Sequence, residues 1–117
     1  MTQPVRYWGK PIILLINQNS ASDAEIFPMG FRNLKIGKIV GVSTPGYVIG
    51  TYEGRLQDGT SYRIPMWGWY TQDGKDLENV GVRPDVDVEL TEEDIENHRD
   101  RQLQVAVDML MKEIPKQ

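Results

Sequence analysis

The sequence predicts an α/β domain, on three observations: an apolar run, Pro11 to Ile16, that reads as a buried strand; a helix-spaced apolar series directly after it; and a second apolar run at Lys38 to Val42. Strand, helix, strand in that order suggests a parallel crossover unit, because two parallel strands need a long connection that a helix supplies. At 117 residues the chain is long enough for one modest core and too short for two, so residues 1–117 are expected to form a single soluble domain.

Each element has its own signal. The run PIILLI has its proline at the first position, where a strand tolerates it, and its continuous apolar character predicts a strand buried on both faces, central in its sheet. A polar turn, Asn17 to Ser22, leads into Ala24, Phe27, Phe31 and Leu34, which recur at helical spacing, with Pro28 one turn inside and Gly37 as the expected stop. From Thr44 to Tyr70, glycines punctuate short segments rich in Val, Ile, Thr, Tyr and Trp, the pattern of several short strands. Asp58-Gly59 and Asp73-Gly74 mark tight turns, since both residue types tolerate positive φ. Gly81 and Pro84 bracket a turn into Val86 to Val88. Thr91 to Asp94 has the form of a capping box, and Ile95, Leu103, Ala106, Val107, Leu110 and Ile114 predict the apolar face of one long C-terminal helix docked on the sheet. Tyr7 and Trp8 suggest that the first residues also pack.

Composition excludes several function classes. With 13 basic against 17 acidic residues the net charge is −4 and no basic run appears, which argues against a nucleic-acid binder. The longest apolar run is far shorter than the roughly 20 residues of a membrane span, so no membrane partner is expected. There is no cysteine and only one histidine, His98, so neither a thiolate nor a histidine-pair metal site is available. No glycine-rich phosphate loop is present, and no cofactor is expected. Lack of cysteine leaves the compartment open.

One residue is placed for chemistry by position alone. Ser22 lies on the turn between a buried strand and a helix, where free N–H groups of the helix start face anything bound there. Capping is the ordinary role of such a serine, and both Ser22-x-x-Glu25 and Ser20-x-x-Asp23 fit a capping box.

Three stretches in order shift the reading toward catalysis. NQNSASDAEIF (17–27) resembles the nucleophile motif of the tail-specific and C-terminal processing peptidases, family S41, in which the second serine of Ser-x-Ser attacks and a glutamate follows three positions later. GVSTPG (41–46) resembles that family's next strand and glycine turn, and LENVGVRPD (77–85) its Glu-x-x-Gly-Val-x-Pro-Asp signature. The processing branch uses a lysine about 25 residues after the serine as general base and a glutamine four positions beyond; Tyr47 and Thr51 stand there, and Lys38 comes too early. Ser22-Asp23, Trp69-Tyr70 and Leu77-Glu78-Asn79 resemble the tricorn-like branch instead.

That resemblance implies a ClpP/crotonase-like fold with a mixed sheet, and a chain forming the C-terminal, nucleophile-bearing part of a larger catalytic domain. It implies Ser22 as nucleophile, the Asp23 backbone N–H as oxyanion donor, and Glu78 as the carboxylate of a tetrad whose Ser-His pair comes from an upstream segment. The substrate would be a peptide or unfolded polypeptide, the partners the rest of the parent peptidase and further copies of itself, and the isolated chain would be inactive. Three other assignments follow from the residues. Glu25 reads as a helix-start carboxylate, His98 as a solvated residue on the polar face of its helix, and Trp67, Trp69 and Tyr70 as packing aromatics with a peptide groove as second reading. A non-catalytic peptide-binding or assembly module, and a crotonase-like acyl-group enzyme, remain as alternatives.

Overall fold

The computed structural model describes residues 8–114. The elements run β1 (Ile13–Ile16), α1 (Asp23–Asn33), β2 (Lys38–Gly41), β3 (Gly50–Arg55), β4 (Ser61–Trp67), β5 (Val86–Asp87), α2 (Glu92–Glu96) and α3 (Arg101–Glu113). Strands β1, β2 and β5 form a parallel sheet in the order β1-β2-β5, with Ile13 opposite Lys38, Ile16 opposite Gly41 and Val40 opposite Val86. The expected crossover unit is β1-α1-β2. Strands β3 and β4 form a separate antiparallel pair, so the chain mixes strand directions between two sheets rather than within one.

The core lies where α1 meets the parallel sheet: Ile16, Phe31, Ile39 and Val82 form one buried cluster, with Leu14 and Met29 against it. Neighbouring strand residues point to opposite faces, and both Ile39 and Val40 are fully buried, so β2 is the strand covered on both sides. The sequence gives that position to β1, and the structure corrects it. β1 ends the sheet order among the described residues, and Leu15 is 38% exposed. An unbroken apolar run has the same appearance whether its outer edge is paired or not.

Two helix ends also differ from expectation, for one reason. α1 stops at Leu34, with Lys35 in the left-handed region at φ 52°; the Lys35 N–H donates to the Arg32 carbonyl and the Ile36 N–H to the Phe31 carbonyl. This is a Schellman closure without glycine. Gly37 has a different task, since a Cβ there would lie 2.0 Å from the Ile12 carbonyl oxygen. The long C-terminal helix is broken in the same way. His98, at φ 52°, closes α2 through bonds from its N–H to the Ile95 carbonyl and from the Arg99 N–H to the Asp94 carbonyl. The Asp100 side chain then accepts from the Leu103 N–H and starts α3. His98 is therefore an exposed link residue, not part of a helix face.

The capping box at Thr91 and Asp94 forms as the sequence predicts, and the Thr91 hydroxyl and N–H hold the Asp94 carboxyl below its ordinary range. α3 packs on β1 and β2, but its buried side centres on Gln102 and Ala106, with Gln102 donating to the Val88 carbonyl at 2.8 Å, while Leu103 and Val107 are about half exposed.

Both turn signals hold: Gly59 and Gly74 have φ of 89° and 79°, and the first joins β3 to β4. What the sequence does not show is the hairpin's exposure, since every residue of β4 is exposed. Trp67 packs cross-strand over Gly50, as expected, yet it remains 54% exposed, Trp69 42% and Tyr70 63%, so the described residues cover these aromatics only in part. Trp8 is exposed too, with the Lys10 ammonium 5.6 Å from its ring centroid, and Tyr7 lies outside the described residues.

Candidate active site

The three sequence stretches converge on one loop, residues 44–49. Ser22 stands at the N-terminal end of α1, but not in the conformation of a capping residue: its φ is 59° and ψ −121°, and its side chain makes no cap bond. Thr91 provides the contrast within the same chain, capping α2 from an extended backbone with its hydroxyl on the Asp94 N–H. Ser20 does not cap either; its hydroxyl accepts from the Asn17 N–H. A non-glycine residue held in such a sparsely populated region costs on the order of 1–3 kcal/mol and persists only where its surroundings fix it.

Those surroundings are specific. The Ser22 N–H donates to the Tyr47 carbonyl at 2.9 Å, and the Ser22 carbonyl accepts from the Glu25 N–H at 2.8 Å. Both backbone polar groups are thus occupied while the side chain is exposed. The next N–H, that of Asp23, meets no acceptor among the described residues, which leaves one donor of the helix start without a partner next to the serine.

Two carboxylates hold four consecutive N–H groups of the loop. Glu25 accepts from Gly46 and Tyr47 at 2.7 and 2.6 Å, and from the Thr44 hydroxyl. Glu78 accepts from Val48 and Ile49, both at 2.8 Å and both on Oε2. The second oxygen of Glu78 has no partner among the described residues, and its side chain is half-buried. Glu25 is fully buried, so the helix-start assignment places it correctly but misses what it binds. Its partners lie about twenty residues away in sequence, and only the glutamate spacing of the first motif pointed to it.

The segment bearing Glu78 crosses the loop at close range. The Asn79 N–H donates to the Gly46 carbonyl at 2.8 Å, Thr44 N–H to the Val82 carbonyl at 3.1 Å, and Val82 N–H to the Thr44 hydroxyl at 2.8 Å. Glycines permit the crossing: a Cβ on Gly46 would lie 2.6 Å from the Val80 nitrogen, and one on Gly81 2.3 Å from the Thr44 carbonyl oxygen. Both have positive φ, 82° and 69°. Gly81→Ala is therefore expected to destabilise the protein by about 3 kcal/mol, through strain and a backbone clash together. Urea unfolding with an unchanged midpoint would contradict the crossing.

Tyr47 and Thr51 occupy the positions matching the processing branch's lysine and glutamine. Tyr47 joins Ser22 through its backbone and presents an exposed phenol, and Thr51 accepts two bonds from Arg63 across the hairpin. Position 47 thus lies beside the serine, and no amine stands there. No cluster of acid and histidine side chains suited to a metal ion occurs among the described residues.

An α/β crossover with an uncapped serine at a helix start matches the arrangement the three motifs imply, and comparison fixes the family. The profile of peptidase family S41 matches residues 2–88, and the chain belongs to that family. Within it the chain is similar to the tricorn protease of Thermoplasma acidophilum, 38% identical over 105 residues that cover 88% of this chain and 10% of the relative. The crystal structure of the tricorn protease superposes with a TM-score of 0.84 at 37% identity, over 88% of this chain and 10% of that one. Mature CPAF superposes with a TM-score of 0.79 at 25% identity, over 97% of this chain and 23% of that one. The mixed α/β fold is that of these S41 peptidases, as the resemblance implies, and the chain spans about a tenth of its tricorn relative.

Proposed function

We propose that the chain carries the nucleophile of a tricorn-like serine peptidase, with Ser22 as the attacking residue. The observation that supports this best is the backbone of Ser22, strained and bonded on both sides while its hydroxyl is left exposed and uncapped. A structural serine has no need of that arrangement; a nucleophile presented to a carbonyl does.

The Ser22 Oγ attacks the scissile carbonyl as its proton passes to a histidine supplied by an upstream segment. Negative charge gathers on the carbonyl oxygen, where the Asp23 N–H donates to it; one such donor contributes about a hundred- to thousandfold in rate. The histidine returns the proton to the leaving amine, the peptide C–N bond breaks, and an acyl ester remains on Ser22. Water, deprotonated by the same histidine, then cleaves the ester and restores the serine. Glu78 keeps one oxygen on the loop and offers the other to the upstream serine that orients the histidine.

The substrate class is a peptide or unfolded polypeptide, and the required partner is the upstream part of the same peptidase. The outer edge of β1 and the exposed hairpin suit association with that part, or with further copies of the chain in a homo-oligomer. The 117 residues alone are expected to hydrolyse a fluorogenic peptide at least about a thousandfold more slowly than the full-length gene product, since base and half the oxyanion site are supplied from outside. Comparable turnover by the short chain would contradict the split site. An inactive full-length product that still binds peptide would favour the assembly-module reading.

A further inference from the structure

The peptidase reading gives tasks to Ser22, Asp23 and Glu78 and leaves one fully buried acid without any. Glu25 takes three donors from a single stretch: the Thr44 hydroxyl and the Gly46 N–H on Oε2, and the Tyr47 N–H on Oε1 at 2.6 Å. The Tyr47 carbonyl in turn accepts the Ser22 N–H at 2.9 Å, and the Glu25 N–H donates to the Ser22 carbonyl at 2.8 Å. Ser22, Glu25 and Tyr47 therefore close a ring of three hydrogen bonds that fixes both backbone polar groups of the serine.

We propose that Glu25 is a positioning residue for Ser22, holding the serine in its strained presentation through the loop of residues 44–47. The proposal rests on the reading of Ser22 as nucleophile. An acid that merely favours a helix start can stay in water, as Asp23 does in the same first turn. Burying a carboxylate is costly unless its oxygens are filled, and here they are filled by the loop that tethers Ser22. The group must be an acceptor on both oxygens, because a carboxamide would turn its NH2 against an N–H of Gly46 or Tyr47. Thr44 extends the arrangement, since its hydroxyl binds both Glu25 and the Val82 N–H and so links the serine's loop to the segment that bears Glu78.

A positioning role and a merely structural one differ in what a substitution changes. The full-length gene product, with Glu25→Gln and separately with Thr44→Val, would be titrated with a fluorophosphonate probe, following both the final extent of Ser22 labelling and its rate constant. The expected result for Glu25→Gln is unchanged final extent with a rate constant lower by about 10- to 100-fold, the scale of an ångström-level misplacement, and a matching fall in kcat with KM within about twofold. Thr44→Val is expected to act in the same sense more weakly, and carries the test if the glutamine variant does not fold. Wild-type rate constants in the folded variants, or a reduced extent with an unchanged rate, would overturn the proposal. An unlabelled wild-type protein would instead remove the nucleophile reading, and this inference with it.

Discussion

Ser22→Ala is expected to lower peptide hydrolysis by the full-length gene product by at least about a thousandfold while leaving the fold intact. The two halves of that result have separate causes. The hydroxyl makes no bond within the described residues, so removing it leaves no buried partner unsatisfied, and stability is expected to change by no more than about 0.5 kcal/mol. The backbone bonds to Tyr47 and Glu25 are made by alanine as well as by serine. On the proposed reading, hydrolysis is lost because the Ser22 Oγ is the group that forms the acyl ester. Thermal melting beside a kinetic assay separates the two effects; loss of activity together with a large fall in melting temperature would mean that Ser22 is a structural residue after all.

Glu78→Gln is the second large effect. Glutamine can still accept the Val48 and Ile49 N–H groups with its carbonyl oxygen, so the loop is expected to hold. Its NH2, however, replaces an acceptor by a donor at the oxygen that has no partner among the described residues, where the proposed tetrad needs an acceptor. A wrong donor pattern behind a catalytic histidine can cost about 10⁴-fold in kcat, and because the proposed role of Glu78 lies one residue further back a loss of about 100- to 1,000-fold is expected, with KM little changed. Activity within threefold of wild type would reduce Glu78 to a clamp on residues 48 and 49.

Much of the fold was legible because it follows from local rules. The β1-α1-β2 unit shows in the change of apolar period, and the two Asp-Gly turns in their φ requirement. The break between α2 and α3 was hidden because the apolar spacing continues through it and its left-handed residue is His98, where a glycine would have been a signal. β3 and β4 were legible as strands, but alternation says nothing about what covers them. For the site, motif spacing brought Ser22 and Glu78 forward, whereas Glu25 appeared to be one more first-turn acid. Its partners lie on a loop brought beside it by the parallel crossover, and although the motif's spacing singled out the residue, a long-range contact of this kind does not show which groups it binds.

On the proposed reading, Ser22 is the residue that becomes acylated. The most direct measurement is fluorophosphonate treatment of the full-length gene product, followed by proteolysis and mass spectrometry to locate the adduct. The expected result is one adduct, on Ser22, absent from Ser22→Ala and slowed in Glu78→Gln. An adduct on a different serine, or peptide hydrolysis that persists in Ser22→Ala, would contradict it.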